Sequence, residues 1–283
     1  MTATTGPDLV EQARTAQQGL GAFNVVLLEH AEAIVAGAER AGLPVVLQIS
    51  QNASRYHGGL EPIALASLAI ARAATVPATV HLDHAEDVAL VELAAGLGVQ
   101  SVMFDGSALP YDENVATTRS VVEFCHARGV RVEAELGEVG GKDGVHAPGA
   151  RTRPAEAAAF VAATGIDSLA VAVGTSHAMT SRVATVDRAL VGELAAAVDV
   201  PLVLHGSSGL SDEELVGAVR AGMTKINIST HLNGLFTAAV RDALSADAVL
   251  VDPRKYIAPG REAVAVEVSR ILRLLRLRGL LAS

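Results

Sequence analysis

AGLPVVLQIS (residues 41–50) contains the local pattern that decides the fold. A helical pattern ends at Gly42, and a short run rich in β-branched and other apolar residues follows. Glycine readily takes the left-handed conformation in which many helices end. The same order of helix, small turn residues and β-rich run returns in five further segments, and a glycine stands at the helix end in five of the six. The other segments are LGVQSVMFDG (97–106), RGVRVEAELG (128–137), TGIDSLAVAVG (164–174), VDVPLVLHG (198–206) and AGMTKINIST (221–230).

Two more β-rich runs, at 21–26 and 78–83, bring the number of expected strands to eight. Helical patterns separate them, at 29–41, 60–74, 112–128, 154–164, 211–221 and 231–246. Eight βα units over about 250 residues predict an α/β fold, a single (β/α)8 TIM barrel. We expect one domain over 1–283, with the barrel at about 20–246, a long loop at 138–154 and a C-terminal helical tail at 247–283. A doubly wound open sheet is the alternative, but no GxGxxG follows the first strand.

Composition limits the classes of function. Half of the 283 residues are apolar, which allows a large core, and the net charge of −9 argues against a nucleic-acid or anionic-membrane surface. The single cysteine, Cys125, lies on a predicted helix where it would pack in the core, and it permits no disulfide within the chain. The N-terminal stretch has neither an apolar signal core nor a basic leader, and no apolar run approaches membrane-spanning length. We therefore expect a cytoplasmic protein that acts on a small molecule.

Histidines stand where three of the expected strands end. Asp83 and His84 end the third strand, His177 follows the sixth, and His205 ends the seventh. In a TIM barrel the carboxyl ends of the strands share one mouth. Three neutral imidazoles with an open fourth position form a catalytic zinc arrangement, although a single histidine at a strand end is more often structural. Position alone leaves both readings open.

Other polar residues recur at the same ends. Asp105 and Glu135 are carboxylates that could orient a ligand or hold a second cation. HGSSG (205–209) and NIST (227–230) follow strands seven and eight, where TIM barrels frequently bind phosphate through backbone N–H groups and a helix N-terminus. His81 is expected in the core or behind the ligands.

Motifs along nearly the whole chain resemble those of the class II, metal-dependent ketose-bisphosphate aldolases, the family of fructose- and tagatose-bisphosphate aldolases. The motifs are GAFNVV, PVVLQIS, HLDHAED, SVMFDGSALPYDEN, VEAELGEVGG, LAVAVGTSHA, PLVLHGSSGL, KINIST and DPRKY. The resemblance implies reversible cleavage of a ketose 1,6-bisphosphate to dihydroxyacetone phosphate and glyceraldehyde 3-phosphate, through a metal-stabilised ene-diolate.

The resemblance also implies roles for individual residues. His84, His177 and His205 would bind Zn²⁺ or another divalent transition metal, Asp83 would be the acid/base, and Asp105 and Glu135 would be accessory metal ligands or supports for the ligands. The implied substrate contacts are Asn24, Ser50, Ala178, Gly206, Ser207, Ser208, Asn227, Ile228, Ser229 and Thr230, with a monovalent cation near the phosphate. Arg254 would reach the far phosphate from a neighbouring subunit, which implies a homodimer or homotetramer.

Two positions depart from the family pattern. The mobile-loop glutamate that moves the ene-diolate proton is replaced by Asp143, with Glu138 and His146 as alternatives, and the usual glycine after the second histidine is Ala178. Two other functions remain open. One is a Schiff-base aldolase, for which the chain offers only Lys142, Lys225 and Lys255; the other is a weakened barrel that binds metal and sugar phosphate without efficient catalysis. No residue decides between fructose and tagatose bisphosphate.

Overall fold

Eight parallel strands close into a barrel in the computed structural model, which describes residues 8–136, 151–175 and 184–277. Each strand pairs with the next one in sequence, and the last pairs with the first. The predicted TIM barrel is therefore confirmed, and the open doubly wound sheet is wrong. The strands are β1 (Leu20–Asn24), β2 (Val45–Ser50), β3 (Ala78–Ala85), β4 (Ser101–Phe104), β5 (Arg131–Glu135), β6 (Ser168–Ala170), β7 (Leu202–Leu204) and β8 (Met223–Ile228).

Helices surround the barrel. Their bounds are α1 (Leu9–Thr15), α2 (Leu28–Ala41), α3 (Gln51–Tyr56), α4 (Leu60–Ala73), α5 (Val88–Leu97), α6 (Tyr111–His126), α7 (Pro154–Thr164), α8 (Arg188–Ala197), α9 (Asp212–Ala221), α10 (Thr230–Ala246) and α11 (Pro253–Leu275). α11 is the predicted helix of the C-terminal tail, and it packs against α2 and α10. Among the described residues, no helix combines the length and the apolar composition that crossing a membrane requires.

Glycines end several helices as predicted. Gly42 follows α2 with φ +65°, and Gly165 follows α7 with φ +73°, both in the left-handed region. Residues with a Cβ adopt this region at a cost, so glycine allows the chain to leave the helix and turn into the next strand. Cys125 is buried in α6, as predicted.

Alternation along the strands separates an apolar outer layer from a polar interior. On β3, Val80 and Leu82 pack in the main hydrophobic core beneath the helices, whereas His81 and Asp83 point to the other side. β5 repeats this pattern, with Val132 and Ala134 outside and with Glu133 and Glu135 inside; β8 does so too, with Lys225 and Asn227 inside. Successive side chains of a strand face opposite sides of a sheet. The polar residues of separate strands therefore meet inside the barrel.

Candidate active site

A pocket opens at the carboxyl ends of the strands. It is lined by Asn24, Gln48, Ser50, Asp83, His84, His205, Gly206, Ser208, Asn227, Ser229 and Thr230. Most of the residues predicted from the sequence thus come together at one mouth, where TIM-barrel enzymes keep their working groups.

Asp83 and His84 are adjacent in sequence, yet both contribute to this pocket. In a regular strand neighbouring side chains point to opposite faces. Here the pairing of β3 with β4 shifts register between Leu82 and Ala85, and His84 takes a left-handed backbone conformation with φ +48°. The local irregularity turns the imidazole toward the mouth that the Asp83 carboxylate already faces.

The imidazoles of His84 and His205 meet across the mouth. His84 Nε2 lies 2.9 Å from His205 Nδ1, and the ring planes are at 89° to one another. The other nitrogen of each ring contacts a carboxylate: His84 Nδ1 is 2.8 Å from Asp105 Oδ2, and His205 Nε2 is 3.0 Å from Glu133 Oε1. An ionised carboxylate only accepts hydrogen bonds, so the protons lie on His84 Nδ1 and His205 Nε2. The nitrogens that face each other are the two that would bear lone pairs.

Two lone pairs at this distance repel each other, so a positive charge has to lie between the rings. One source of that charge is a proton: burial opposes protonation of His84, but the carboxylates of Asp83 and Asp105 outweigh it and raise the pKa of His84 to about 10. A divalent cation is the other source, and the donors suit it. The ligand atoms of Asp83, His84 and His205 lie within 4.8 Å of one another. Imidazole nitrogens held by carboxylates are typical metal ligands.

Asp105 and Glu135 surround the far side of His84. Their ligand atoms and one of His84 form a second group within 4.8 Å. Asp105 Oδ1 also accepts a hydrogen bond from Ser107 Oγ at 2.6 Å, and burial followed by the charge of Asp105 raises the pKa of Glu135 to about 8. The raised pKa of Glu135 reflects its burial and the negative charge of Asp105 beside it, and a cation bound between these groups would favour the ionised form of Glu135.

Amide groups hold the Asp83 carboxylate. Asn227 Nδ2 donates to Oδ1 at 3.4 Å, and Asn24 Nδ2 and Gln48 Nε2 both donate to Oδ2 at 3.5 Å. Burial opposes ionisation of Asp83, but the nearby His84 and His205 rings more than offset it, so its pKa lies below the ordinary value. Asp83 is therefore an ionised acceptor inside the pocket.

The other side of the mouth is built from backbone and hydroxyl groups. Gly206, with φ +69°, begins a 3₁₀ turn over Ser207–Gly209. Ser208 Oγ accepts the backbone N–H groups of Ser229 and His231, both at 3.2 Å, and so joins this turn to the start of α10. A helix N-terminus beside such a turn is a favourable place for an anion.

Two predicted substrate contacts have side chains directed elsewhere. Ser207 Oγ donates to the carbonyl of Leu204, and Ile228 packs in the hydrophobic core. These residues can offer a ligand only their backbone groups.

The described pocket can be compared with the predictions only where the structure describes the chain. His177, Ala178, Asp143, Glu138 and His146 lie outside the described residues. Arg254 stands at the start of α11 with its side chain 89 % exposed, and its guanidinium contacts Asp252 at 2.9 Å.

Gln48 and Glu133 also belong to the site, although neither is among the residues predicted from the sequence. Gln48 Nε2 donates to Asn24 Oδ1 at 2.7 Å, and Glu133 holds His205 as described above. A signal for both exists in the sequence. Each lies two positions before a predicted site residue, Ser50 or Glu135, and therefore on the same inward face of its strand.

Lys225 also lies two positions before a site residue, Asn227, but it is buried below the mouth. Its Nζ donates to Glu133 Oε2 at 2.7 Å. Lys225 therefore does not line the pocket, and Lys255 is exposed on α11. Neither Lys225 nor Lys255 is therefore placed to form a Schiff base with a substrate in this pocket, which disfavours the Schiff-base aldolase for both described lysines.

Comparisons with known proteins agree with this geometry. The sequence model described as "Fructose-bisphosphate aldolase class-II" matches residues 4–279. A fructose-bisphosphate aldolase of Geobacillus stearothermophilus is 39 % identical over 272 residues, which cover 95 % of each chain. The solved YdjI aldolase of Escherichia coli K12 is 31 % identical with a TM-score of 0.82 and covers 96 % of each chain. A putative fructose-1,6-biphosphate aldolase of Coccidioides immitis is 31 % identical with a TM-score of 0.85 over 99 % of each chain. The chain therefore belongs to the class-II fructose-bisphosphate aldolase family and is a carbon–carbon lyase.

Proposed function

We propose that the protein is a metal-dependent aldolase that reversibly cleaves fructose 1,6-bisphosphate to dihydroxyacetone phosphate and glyceraldehyde 3-phosphate. Membership of the class-II fructose-bisphosphate aldolase family supports the choice of fructose 1,6-bisphosphate as the substrate. The single observation that carries the metal dependence is the meeting of His84 Nε2 and His205 Nδ1, each with its other nitrogen on a carboxylate, next to Asp83.

His84 and His205 would hold the metal through these two nitrogens, with His177 as the third ligand. A divalent cation bound there supplies a Lewis acid that polarises the ketone and hydroxyl oxygens of the sugar. Zinc suits a histidine donor set, and cobalt and manganese are also compatible with it. Asp105 would support His84, while Asp105 and Glu135 together would offer an accessory position. Ligands that are mostly neutral imidazoles leave the cation most of its charge.

Asp83 would act as the base in the cleavage direction. It takes the proton of the C4 hydroxyl, the C3–C4 bond breaks, and the electron pair remains on C3 as the ene-diolate. The C4 oxygen then becomes the aldehyde oxygen of glyceraldehyde 3-phosphate. A residue of the segment 138–146 would return a proton to C3; Asp143 is our first choice, and Glu138 and His146 are the alternatives. General acid–base catalysis of this kind contributes about 10²–10⁴-fold.

The pocket wall formed by Gly206, Ser208, Ser229 and Thr230 would bind the phosphate of the dihydroxyacetone half, with a monovalent cation alongside. Backbone N–H groups of Ser207 and Ile228, together with Asn227 and Ala178, would complete this side. Asn24 and Ser50 line the opposite side of the pocket and would contact the sugar. Binding energy from the phosphate, which is remote from the reacting carbons, fixes their orientation.

Arg254 would complete the site from a second copy of the chain, in a homodimer or homotetramer. Its side chain is 89 % exposed, and Val249 and Val251, which precede it, are 84 % and 87 % exposed. Exposed apolar side chains beside an outward-pointing arginine suit an interface between subunits. A reducing cytoplasm suits the single buried thiol of Cys125.

Cleavage kinetics on metal-analysed protein test the proposal. We expect turnover of fructose 1,6-bisphosphate that is lost after dialysis against a chelator and restored by zinc, and we expect His205→Ala to lose metal and activity together. Tagatose 1,6-bisphosphate in a parallel assay measures the preference at the C4 hydroxyl. Chelator-resistant activity combined with borohydride trapping of the substrate on a lysine would instead establish the Schiff-base mechanism.

A further inference from the structure

A chain of hydrogen bonds runs through the barrel interior behind His205. Glu133 contacts His205 Nε2 through Oε1 at 3.0 Å and accepts a hydrogen bond from Lys225 Nζ at its other oxygen, Oε2, at 2.7 Å. Lys225 Nζ also lies 3.2 Å from His81 Nε2, and His81 Nδ1 lies 2.8 Å from Ser101 Oγ. We call Glu133, Lys225 and His81 the interior column. The aldol chemistry proposed above uses Glu133 only as the carboxylate next to His205 and assigns no role to Lys225 or His81.

The chemistry of each group determines the direction of each hydrogen bond. An ammonium group only donates, so His81 Nε2 accepts from Lys225 and the His81 proton lies on Nδ1, toward Ser101. Burial holds the pKa of His81 at about 3, which keeps this ring neutral. Lys225 thus donates to both His81 and Glu133. The second carboxylate oxygen of Glu133 is then directed at His205 Nε2 at 3.0 Å. A carboxylate only accepts, so Nε2 is the donor in this contact, which is shorter than the 3.2 Å between the same nitrogen and Asn227 Nδ2.

The burial of these charges shows why they occur as a pair. The side chains of Glu133 and Lys225 are each 2 % exposed. An isolated charge at such a depth costs several kcal/mol, whereas a close and well hydrogen-bonded pair recovers much of that cost. The pair is neutral as a unit, so Glu133 can serve as a strong acceptor for His205 without adding net negative charge to a mouth that already contains the ionised carboxylates of Asp83 and Asp105.

We propose that Glu133 is a positioning residue for the metal site: it fixes His205 with the proton on Nε2, so that the ring presents Nδ1 to the metal, and Lys225 holds Glu133 in that position. This inference rests on the proposed metal-dependent function. It assigns to Lys225 and Glu133 an action through His205 and no contact with the substrate.

Two paired replacements test this role. Glu133→Leu with Lys225→Met removes the ion pair and the acceptor, whereas Glu133→Gln with Lys225→Met removes the ion pair and leaves an amide oxygen that can accept from Nε2. We expect the Leu/Met protein to bind zinc about 10–100-fold more weakly, which is the usual effect of losing such a support. We expect the Gln/Met protein to recover most of that affinity.

The measurements are zinc affinity by competition with a chelator and the visible spectrum of the cobalt-substituted protein, which reports the ligand set. Replacement of a buried ion pair by neutral residues is often tolerated, so we expect both metal-free variants to unfold cooperatively on heating. Cys125→Ala, in α6 outside the barrel, is the control for a change of core packing that leaves the column intact. Wild-type affinity in the Leu/Met protein, or equal loss in both proteins, would overturn the proposal.

Histidine ¹⁵N chemical shifts of the zinc-loaded wild type test the same claim without any substitution. We expect His205 to carry its proton on Nε2, and a proton on Nδ1 would overturn the inference even if no variant folds. A wild-type protein that binds no zinc at His84 and His205 would refute the proposed function itself. If zinc affinity is the same with and without the interior column, only the positioning role of Glu133 is refuted.

Discussion

At the scale of single residues, the backbone of His84 determines what Asp83 can do. A non-glycine residue in the left-handed region costs roughly 1–2 kcal/mol, and His84 lies there with φ +48°. A strained backbone conformation of this kind persists only where the contacts around it hold it in place, and it occurs often at active sites. In return, the proposed metal ligand His84 and the proposed acid/base Asp83 stand next to each other in the chain and line the same pocket. Neighbouring oxygens of one substrate can then contact both.

The proposed acid/base role of Asp83 predicts a specific loss of turnover in Asp83→Ala. We expect kcat to fall by about 10²–10⁴-fold, because the C4 hydroxyl loses its base. Zinc content should remain close to that of the wild type, because Asp105 and Glu133 still orient the two imidazoles. The measurements are kcat for fructose 1,6-bisphosphate and metal content by elemental analysis.

The control is Asp87→Ala, four residues along the same segment. Asp87 is exposed, and its carboxylate accepts the N–H of Ala89 as the N-cap of α5. Its loss should cost about 1 kcal/mol of stability and leave kcat unchanged. Near-normal kcat in Asp83→Ala would remove this carboxylate from the acid/base role.

At the scale of elements, the packing of α11 on α2 determines where Arg254 lies on the surface of the protein. Gly37 of α2 lies against α11, and a Cβ added there would be 2.6 Å from the carbonyl oxygen of Ala265 and 2.8 Å from Val268 Cβ. The two helix backbones therefore approach closely only because this residue has no side chain. Since Arg254 is in the first turn of α11, the seating of this helix also positions the arginine.

Gly37→Ala should therefore destabilise the protein, by about 1–3 kcal/mol, as expected for overpacking a tight contact. The matched control is Gly96→Ala in α5, where an added Cβ meets no heavy atom within 4 Å. A helical glycine in open space should gain roughly 0.5–1 kcal/mol on replacement by alanine. Urea unfolding of both variants measures the two free energies. Equal changes in both would show that the α2–α11 contact is not tight.

At the scale of the whole molecule, the barrel could be predicted from local sequence. Six segments repeat the order of helix, small turn residues and strand, and two more β-rich runs complete the eight strands. The run at 78–83, for example, corresponds to β3 (Ala78–Ala85). Once the barrel is predicted, the convergence of His84 and His205 follows, because both stand at carboxyl ends of parallel strands. The helical tail follows equally from local pattern, since α11 is encoded within its own segment.

Other parts of the site depend on contacts that local sequence does not encode. The left-handed conformation of His84 occurs where the register of β3 against β4 shifts, between Leu82 and Ala85. The contact between Glu133 and Lys225 joins β5 to β8, which are not neighbours in the sheet, so it depends on the geometry of the closed barrel. The choice of ring nitrogen in His205 depends in turn on that pair. Strand alternation predicts that such residues face inward but does not predict which of them meet.

The proposed action of Arg254 on a neighbouring subunit predicts complementation between two inactive variants. Asp83→Ala and Arg254→Ala chains with different tags are coexpressed, and mixed dimers are purified through both tags. In such a dimer one site lacks both groups, while the other has Asp83 from its own chain and Arg254 from its partner. We therefore expect roughly half of the wild-type activity per dimer, because one of two symmetric sites is intact.

A mixture of Asp83→Ala with His205→Ala is the control, because both defects lie among the pocket-lining residues of a single chain. One mixed site then lacks Asp83 and the other lacks His205, so we expect no recovery. The mixture of Asp83→Ala with Arg254→Ala is informative because the Arg254 side chain is 89 % exposed in the single chain. Its guanidinium can therefore contact a neighbouring copy without any refolding of α11. Failure of the Asp83 and Arg254 pair to recover, with mixed dimers demonstrably formed, would confine Arg254 to its own subunit and remove the proposed sharing of the site.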